Sequence, residues 1–459
     1  MTVFINRTLN FKRIKAVGLD MDYTLVRYNA EAFEKLAYLT TIQKLLEHKK
    51  YPREVGQLKY DHHKVIQGLV IDRKRGNILK LSRFGKVKMA FHGHRQLDFS
   101  EQQKIYQQRV IDLSDEHMQS LDTNFSISNG VLYMDLVELK EKGLPMPDYK
   151  AIAEDVKEMI DLAHRDGSLK KEVQKNLATY IIQDPETVDM LERLRRYQKK
   201  LLLITNSDFE YTKLLLDYAV TPFLKDCGHW NELFDIVITF SMKPRFFTEK
   251  SSFLEIDLQS GKMSNHVGPV LRGIFQGGNA QQLQKDLGLT GDEILYIGDH
   301  IYGDVVSIKK TFNWRTALVL EQLHEEMQGL QKGAQVQLNI DDLMEKKSKI
   351  ELQLNHLYTE EYELKKPVNK KQVDDLFDEI EKLNAATSNY IVEYQKGFNK
   401  NWGELMRAGQ EESRFAGQVE KYACLYMIKI SDLMTYSPRS YFRPLRRVLP
   451  HERGFLSWN

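Results

Sequence analysis

Five short, mostly apolar runs constrain this chain more than any other feature: Lys15–Leu19, Lys200–Ile204, Phe234–Phe240, Glu293–Gly298 and Thr316–Leu320. Helical patterns separate most of them. Near-continuous apolar strands alternating with helices imply a parallel sheet covered on both faces, hence an α/β fold. Ligands of such sheets bind at the carboxyl ends of the strands. Four of the runs lead directly into polar residues. Asp20 and Asp22 follow the first. Thr205, Asn206 and Ser207 follow the second, and Lys243 the third. Asp299 closes the fourth, with Asp304 five residues on and Gly298 and Gly303 allowing tight turns.

Each of these has a bland reading. Two Asp at a strand end, a Thr-Asn-Ser turn and a single Lys are ordinary surface features. Together, in order and all at one mouth, they point to chemistry. In extended chain, residues i and i+2 share a face, so Asp20 and Asp22 can project together. Two such carboxylates repel unless a cation or a shared proton compensates. The pair suits phosphoryl transfer, with Asp20 as nucleophile passing through an aspartyl phosphate and Asp22 as general acid and then base. Hard oxygen donors in this number suit Mg²⁺, held by Asp20 and Asp299 with the Asp22 backbone carbonyl as a further ligand. Lys243 and Thr205 would offset charge on the phosphoryl group, and Asn206 and Ser207 would hold its oxygens. Asp304 either orients Lys243 or reaches the metal through water.

At 459 residues the chain exceeds one typical core. We read a core beginning at 1–34, an inserted cap at 35–180, the rest of the core at 181–340 and a helical region at 341–459 packed on it. The cap contains a β-meander (68–72, 77–81, 86–91), a mostly helical stretch from 101 to 142 and a helix from Tyr149 to His164. The balance of 66 basic and 64 acidic residues argues against nucleic acid as a partner. No apolar run reaches membrane-spanning length, and the N-terminus lacks the apolar core of a signal peptide. With only two cysteines, Cys227 and Cys424, expected as buried thiols, these features suggest a cytoplasmic protein.

The ordered set DMDYTL, LITNSD, Lys243 and GDHIYGD resembles the four motifs of the haloacid dehalogenase superfamily, and the second Asp of the first motif points to its phosphatases. Over nearly the whole chain the sequence is similar to the cytosolic purine 5′-nucleotidase family (cytosolic 5′-nucleotidase II). The similarity includes Gly76–Lys80, His164–Lys170, Thr205–Asp208 and Phe415–Val419. That resemblance implies a Rossmann-like core with an inserted α/β cap and a C-terminal helical extension. It implies Mg²⁺-dependent hydrolysis of purine nucleoside 5′-monophosphates, GMP or IMP first, with phosphotransfer to nucleosides as a second outcome, in a homodimer or homotetramer. It places Phe125, Lys157, Asp161 and His164 at the substrate base, although the family usually has Arg where Lys157 stands and Tyr where Arg165 stands. It also implies activation by a nucleotide effector near Tyr302, Lys310, Gln418, Lys421 and Tyr422. Two rival readings are a nucleotide-sensing protein without turnover and a phosphatase of another small metabolite.

Overall fold

The computed structural model describes residues 3–107 and 110–452. Its central sheet has ten strands: β1 (Val3–Ile5), β2 (Ala16–Leu19), β3 (Lys200–Ile204), β4 (Ile236–Thr239), β5 (Phe253–Ile256), β6 (Met263–Asn265), β7 (Gly273–Gly277), β8 (Ile294–Gly298), β9 (Arg315–Val319) and β10 (Leu425–Met427). They lie in the order β1-β10-β9-β8-β2-β3-β4-β7-β5-β6. The seven strands from β10 to β7 run parallel, and β1, β5 and β6 close the edges antiparallel.

The apolar runs are continuous because both faces are buried. Val17, Leu19, Leu201, Leu203, Leu295 and Ile297 pack into one core. Their alternates Ala16, Leu202, Ile204, Ile294 and Tyr296 pack into another on the opposite face. The chain leaves β2 for β3, β4 and β7 on one side, then returns to β8 and β9 on the other. The order therefore reverses at β2, and Asp20 sits at the end of that strand, where such folds bind ligands.

The insertion leaves the core through a short strand, Arg27–Tyr28, and comes back through Ile181–Ile182; the two pair antiparallel, with Tyr28 opposite Ile181. Between them lies a five-stranded antiparallel sheet in the order Arg95–Gln96, Val87–His92, Asn77–Leu81, Leu69–Asp72, Met118–Leu121. The longest helices of the cap are Ala30–His48, Ile127–Glu141 and Tyr149–Arg165. The meander and the last helix match the expectation closely. The stretch expected to be mostly helical from 101 instead contains the strand Met118–Leu121, whose four residues carry no apolar run of their own and form a strand by pairing with Leu69–Asp72.

The C-terminal part divides differently from the boundary expected at 341. The chain up to Glu321, together with the part from Met406 on, forms one compact unit, and Gln322–Leu405 forms another. The second unit is a hairpin of two long helices, Leu323–Tyr358 and Lys370–Gln395. The part from Met406 supplies β10 rather than continuous helix, and its helix is the short Arg414–Tyr422. Of the two cysteines, both free, Cys424 is buried and Cys227 only half-buried.

Candidate active site

Four strand ends deliver the expected residues to one place. The Asp20 backbone N–H donates to the Ile297 carbonyl at 2.9 Å, which extends the β2–β8 pairing up to the first carboxylate. Lys243, from the loop after β4, lies 2.8 Å from Asp20 Oδ1 and 2.8 Å from Asp304 Oδ1, and donates to the Tyr296 hydroxyl at 2.9 Å. Its side chain is only 4% exposed. Burial alone would lower the Lys243 pKa, but Asp20 and Asp304 outweigh it and hold the ammonium charged.

Two glycines make room for this arrangement. A Cβ on Gly298 would fall 2.4 Å from Asp304 Oδ2, and one on Gly18 would fall 2.8 Å from the Tyr296 ring. Gly298 thus serves close approach of Asp304 to the strand rather than a turn of its own.

The carboxylates outnumber the cation. Burial raises Asp20 to about 6, against the pull of Lys243 and with a push from Asp304. Burial, then the Asp20 charge, raises Asp22 to about 6. Asp299 is pushed well above its ordinary value by burial and by Asp20 and Asp304. Ligand oxygens of Asp20, Asp299 and Asp304 lie within 4.8 Å of one another. Asp299 Oδ2 is buried and has no hydrogen-bond partner. A buried orphan oxygen among converging carboxylates fits a small divalent cation with oxygen ligands, such as Mg²⁺. Asp304 joins this trio directly and also orients Lys243, while the Asp22 side chain points elsewhere.

That side chain is held by two hydroxyls. Tyr28 donates to Asp22 Oδ1 at 2.6 Å and Ser207 donates to Oδ2 at 2.8 Å. Ser207, expected at phosphate oxygens, is thus engaged with Asp22. Asn206, expected there as well, uses its amide on the Lys243 loop: Oδ1 accepts from the Lys243 N–H at 2.6 Å and from Ser241 Oγ at 3.0 Å, and Nδ2 donates to the Lys243 carbonyl at 3.0 Å. Thr205 is fully buried, and its hydroxyl accepts from the Ser207 N–H at 3.0 Å.

On the cap side, Phe125 meets Tyr23 edge-on at 4.7 Å, Phe33 at 5.6 Å and His164 at 5.7 Å between ring centroids. Burial lowers His164 to about 4, so the ring is neutral. Lys157 and Asp161 lie one turn apart on the exposed side of the same helix. Lys170 has no role in the sequence analysis, although it ends the His164–Lys170 stretch. It pairs with Asp208, and its charge acts on both Asp22 and His164. Two more residues near the site were illegible in sequence, Tyr28 and Glu34; only the tertiary contacts single them out.

Of the expected effector residues, Lys310 and Lys421 both lie over the Tyr422 ring, at 5.8 and 5.2 Å. Tyr302 is about half exposed on the π-helical segment Ile301–Val306, and Gln418 is half-buried on the helix Arg414–Tyr422. Among the described residues no helix is long and apolar enough to cross a membrane.

The model of the 5′ nucleotidase family matches residues 3–454. A 5′-nucleotidase domain-containing protein of Dictyostelium discoideum is 26% identical over 471 residues, covering 98% of this chain and 74% of the relative. The 5′-nucleotidase domain-containing protein 2 of Rattus norvegicus is 25% identical over 469 residues, covering 98% of this chain and 80% of the relative.

Proposed function

Since the chain belongs to the 5′ nucleotidase family, we propose that it hydrolyses purine nucleoside 5′-monophosphates, GMP or IMP first, through an aspartyl phosphate and with Mg²⁺. The observation that carries this reading is the buried group at the end of β2, in which Lys243 bridges Asp20 and Asp304 while Asp299 keeps an unpartnered oxygen. Asp20 attacks phosphorus in line; its bond to phosphorus forms as the ester P–O bond breaks. Asp22, poised near neutrality by burial, passes its proton to the leaving 5′ oxygen. It then takes a proton from the water that attacks the aspartyl phosphate and frees Asp20. Lys243 offsets charge on the phosphoryl oxygens. Mg²⁺, held by Asp20 and Asp299 with Asp304 in reach, would neutralise further negative charge at the same oxygens.

The purine preference draws on the resemblance along the helix Tyr149–Arg165 and on the aromatic wall of Phe125 and Phe33 beside His164. Transfer of the phosphoryl group to a nucleoside in place of water is part of the same proposal. So is activation by a nucleotide bound near Lys310, Lys421 and Tyr422. Two free cysteines suit a reducing, cytoplasmic setting.

Phosphate release across a panel of nucleoside and sugar monophosphates, with Mg²⁺ and with a chelator, tests the reading. GMP and IMP should lead, and only with the metal. A sugar phosphate in first place would replace the substrate class. Silence on every substrate would leave a nucleotide-sensing protein.

A further inference from the structure

Tyr28 lies on the strand through which the insertion leaves the core, and it is 1% exposed. Its ring stacks on Tyr23 at 4.8 Å, and its hydroxyl lies 3.1 Å from that of Tyr211. The same hydroxyl donates to Asp22 Oδ1 at 2.6 Å, while Ser207 holds Oδ2. A carboxyl anchored at both oxygens by donors from different elements cannot turn about its own bond. Of the two anchors, Ser207 belongs to the core, whereas Tyr28 belongs to the stem that pairs with Ile181–Ile182.

We propose that Tyr28 is a positioning residue for leaving-group protonation, setting the Asp22 carboxyl from the cap stem so that its proton faces the departing ester oxygen. The inference rests on the reading of Asp22 as general acid. In the step concerned, the Asp20–phosphorus bond forms, the ester P–O bond breaks, and the proton moves from Asp22 to the leaving oxygen; Tyr28 exchanges no proton in the balance. As it gives up its proton Asp22 becomes a carboxylate, and a hydrogen bond to a charged group is among the stronger kinds. A ring without the hydroxyl would leave the carboxyl held through one oxygen only, by Ser207.

The leaving group separates this role from packing. A nucleoside 5′ oxygen departs as a strongly basic alkoxide and needs the proton. A p-nitrophenolate does not need it, so kcat/KM for p-nitrophenyl phosphate, which covers only the steps through aspartyl phosphate formation, bypasses the acid. In the full chain with Mg²⁺, Tyr28→Phe should lower kcat/KM for GMP by ~10- to 100-fold, the rate equivalent of a lost hydrogen bond to a charged group. The same variant should leave the p-nitrophenyl ester nearly untouched. Tyr211→Phe, which keeps the Tyr28–Asp22 bond, should behave as the parent on both. Equal losses on the two substrates, or no loss on either, would overturn the role of Tyr28.

Asp22→Asn run in parallel keeps the two ideas apart. If it lacks the leaving-group signature, the acid assignment of Asp22 fails, and the inference falls with it. If it has the signature and Tyr28→Phe does not, only the inference fails. Should the parent ignore GMP, the best alkyl phosphate of the panel takes its place, and the comparison is read in the same way.

Discussion

The end of β2 and the helical hairpin Gln322–Leu405 both carry many charges, and they use them in opposite ways. In the hairpin, pairs such as Lys346–Asp342 sit one turn apart, 2.6 Å from each other, with about 58% of each side chain in water. Each partner is already solvated, so the pair adds little. At the end of β2, Lys243 faces Asp20 and Asp304 with almost no water to share the charge, and Asp299 lies within reach of both carboxylates. There each charge raises or lowers the pKa of its neighbours, and the surplus negative charge invites a cation. Charge density alone does not mark a site. Charge that cannot reach water does.

The sharpest way to break this comparison is Asp20→Asn. An amide is no nucleophile, so phosphate release should fall by ~10⁴-fold or more, the scale seen when an enzyme loses its nucleophile. Near-parental release would remove the whole assignment of the strand end. Lys243→Met comes next. It leaves Asp20 and Asp304 facing each other without a cation, and should cost ~3–5 kcal/mol of stability in denaturant unfolding with a chelator present. A loss no larger than that of an exposed pair would mean the buried charges are compensated in some other way.

A smaller effect is expected at Glu34, buried on the first cap helix. Its Oε2 accepts from the Ser128 N–H at 2.9 Å, and its Oε1 accepts from the Tyr23 hydroxyl at 3.3 Å. Burial raises its pKa from the ordinary 4.5 to about 7. Between those values the folded chain holds a proton that the unfolded chain has released, so this residue makes stability fall as pH rises through the window, and the loss levels off above about 7. Glu34→Gln removes that slope. Its melting temperature relative to the parent should climb from pH 4.5 to 7 and then stay flat. A difference independent of pH would show that Glu34 titrates like an exposed acid. The least effect belongs to the hairpin, where Lys346→Ala should change unfolding free energy by no more than ~0.5 kcal/mol.

What was legible in the sequence was local. A strand buried on both faces must be apolar along its length, so β2, β3, β4, β8 and β9 announced themselves, and the polar residues at their ends could be placed at one mouth before any contact was known. The cap meander was legible for a related reason, since Gly76 and Gly85 sit at positive φ in the turns. Strands that owe their existence to a partner were not. Met118–Leu121 is half polar and has no apolar run, Gly273–Gly277 is bounded by glycines, and Leu425–Met427 lies far along the chain from the strand it joins.

The same division runs through the site. Residue type and order were enough to select Asp20, Asp22, Lys243, Asp299 and Asp304. Only the tertiary structure decided which groups each of them faces: that Asn206 clamps the Lys243 loop, that Ser207 and Tyr28 hold Asp22, and that Asp304 stands with Asp20 and Asp299. Hydrogen bonds and pKa shifts depend on distances of a few ångströms between segments up to hundreds of residues apart. A local pattern carries no record of those distances, because many packings satisfy the same alternation of apolar and polar residues.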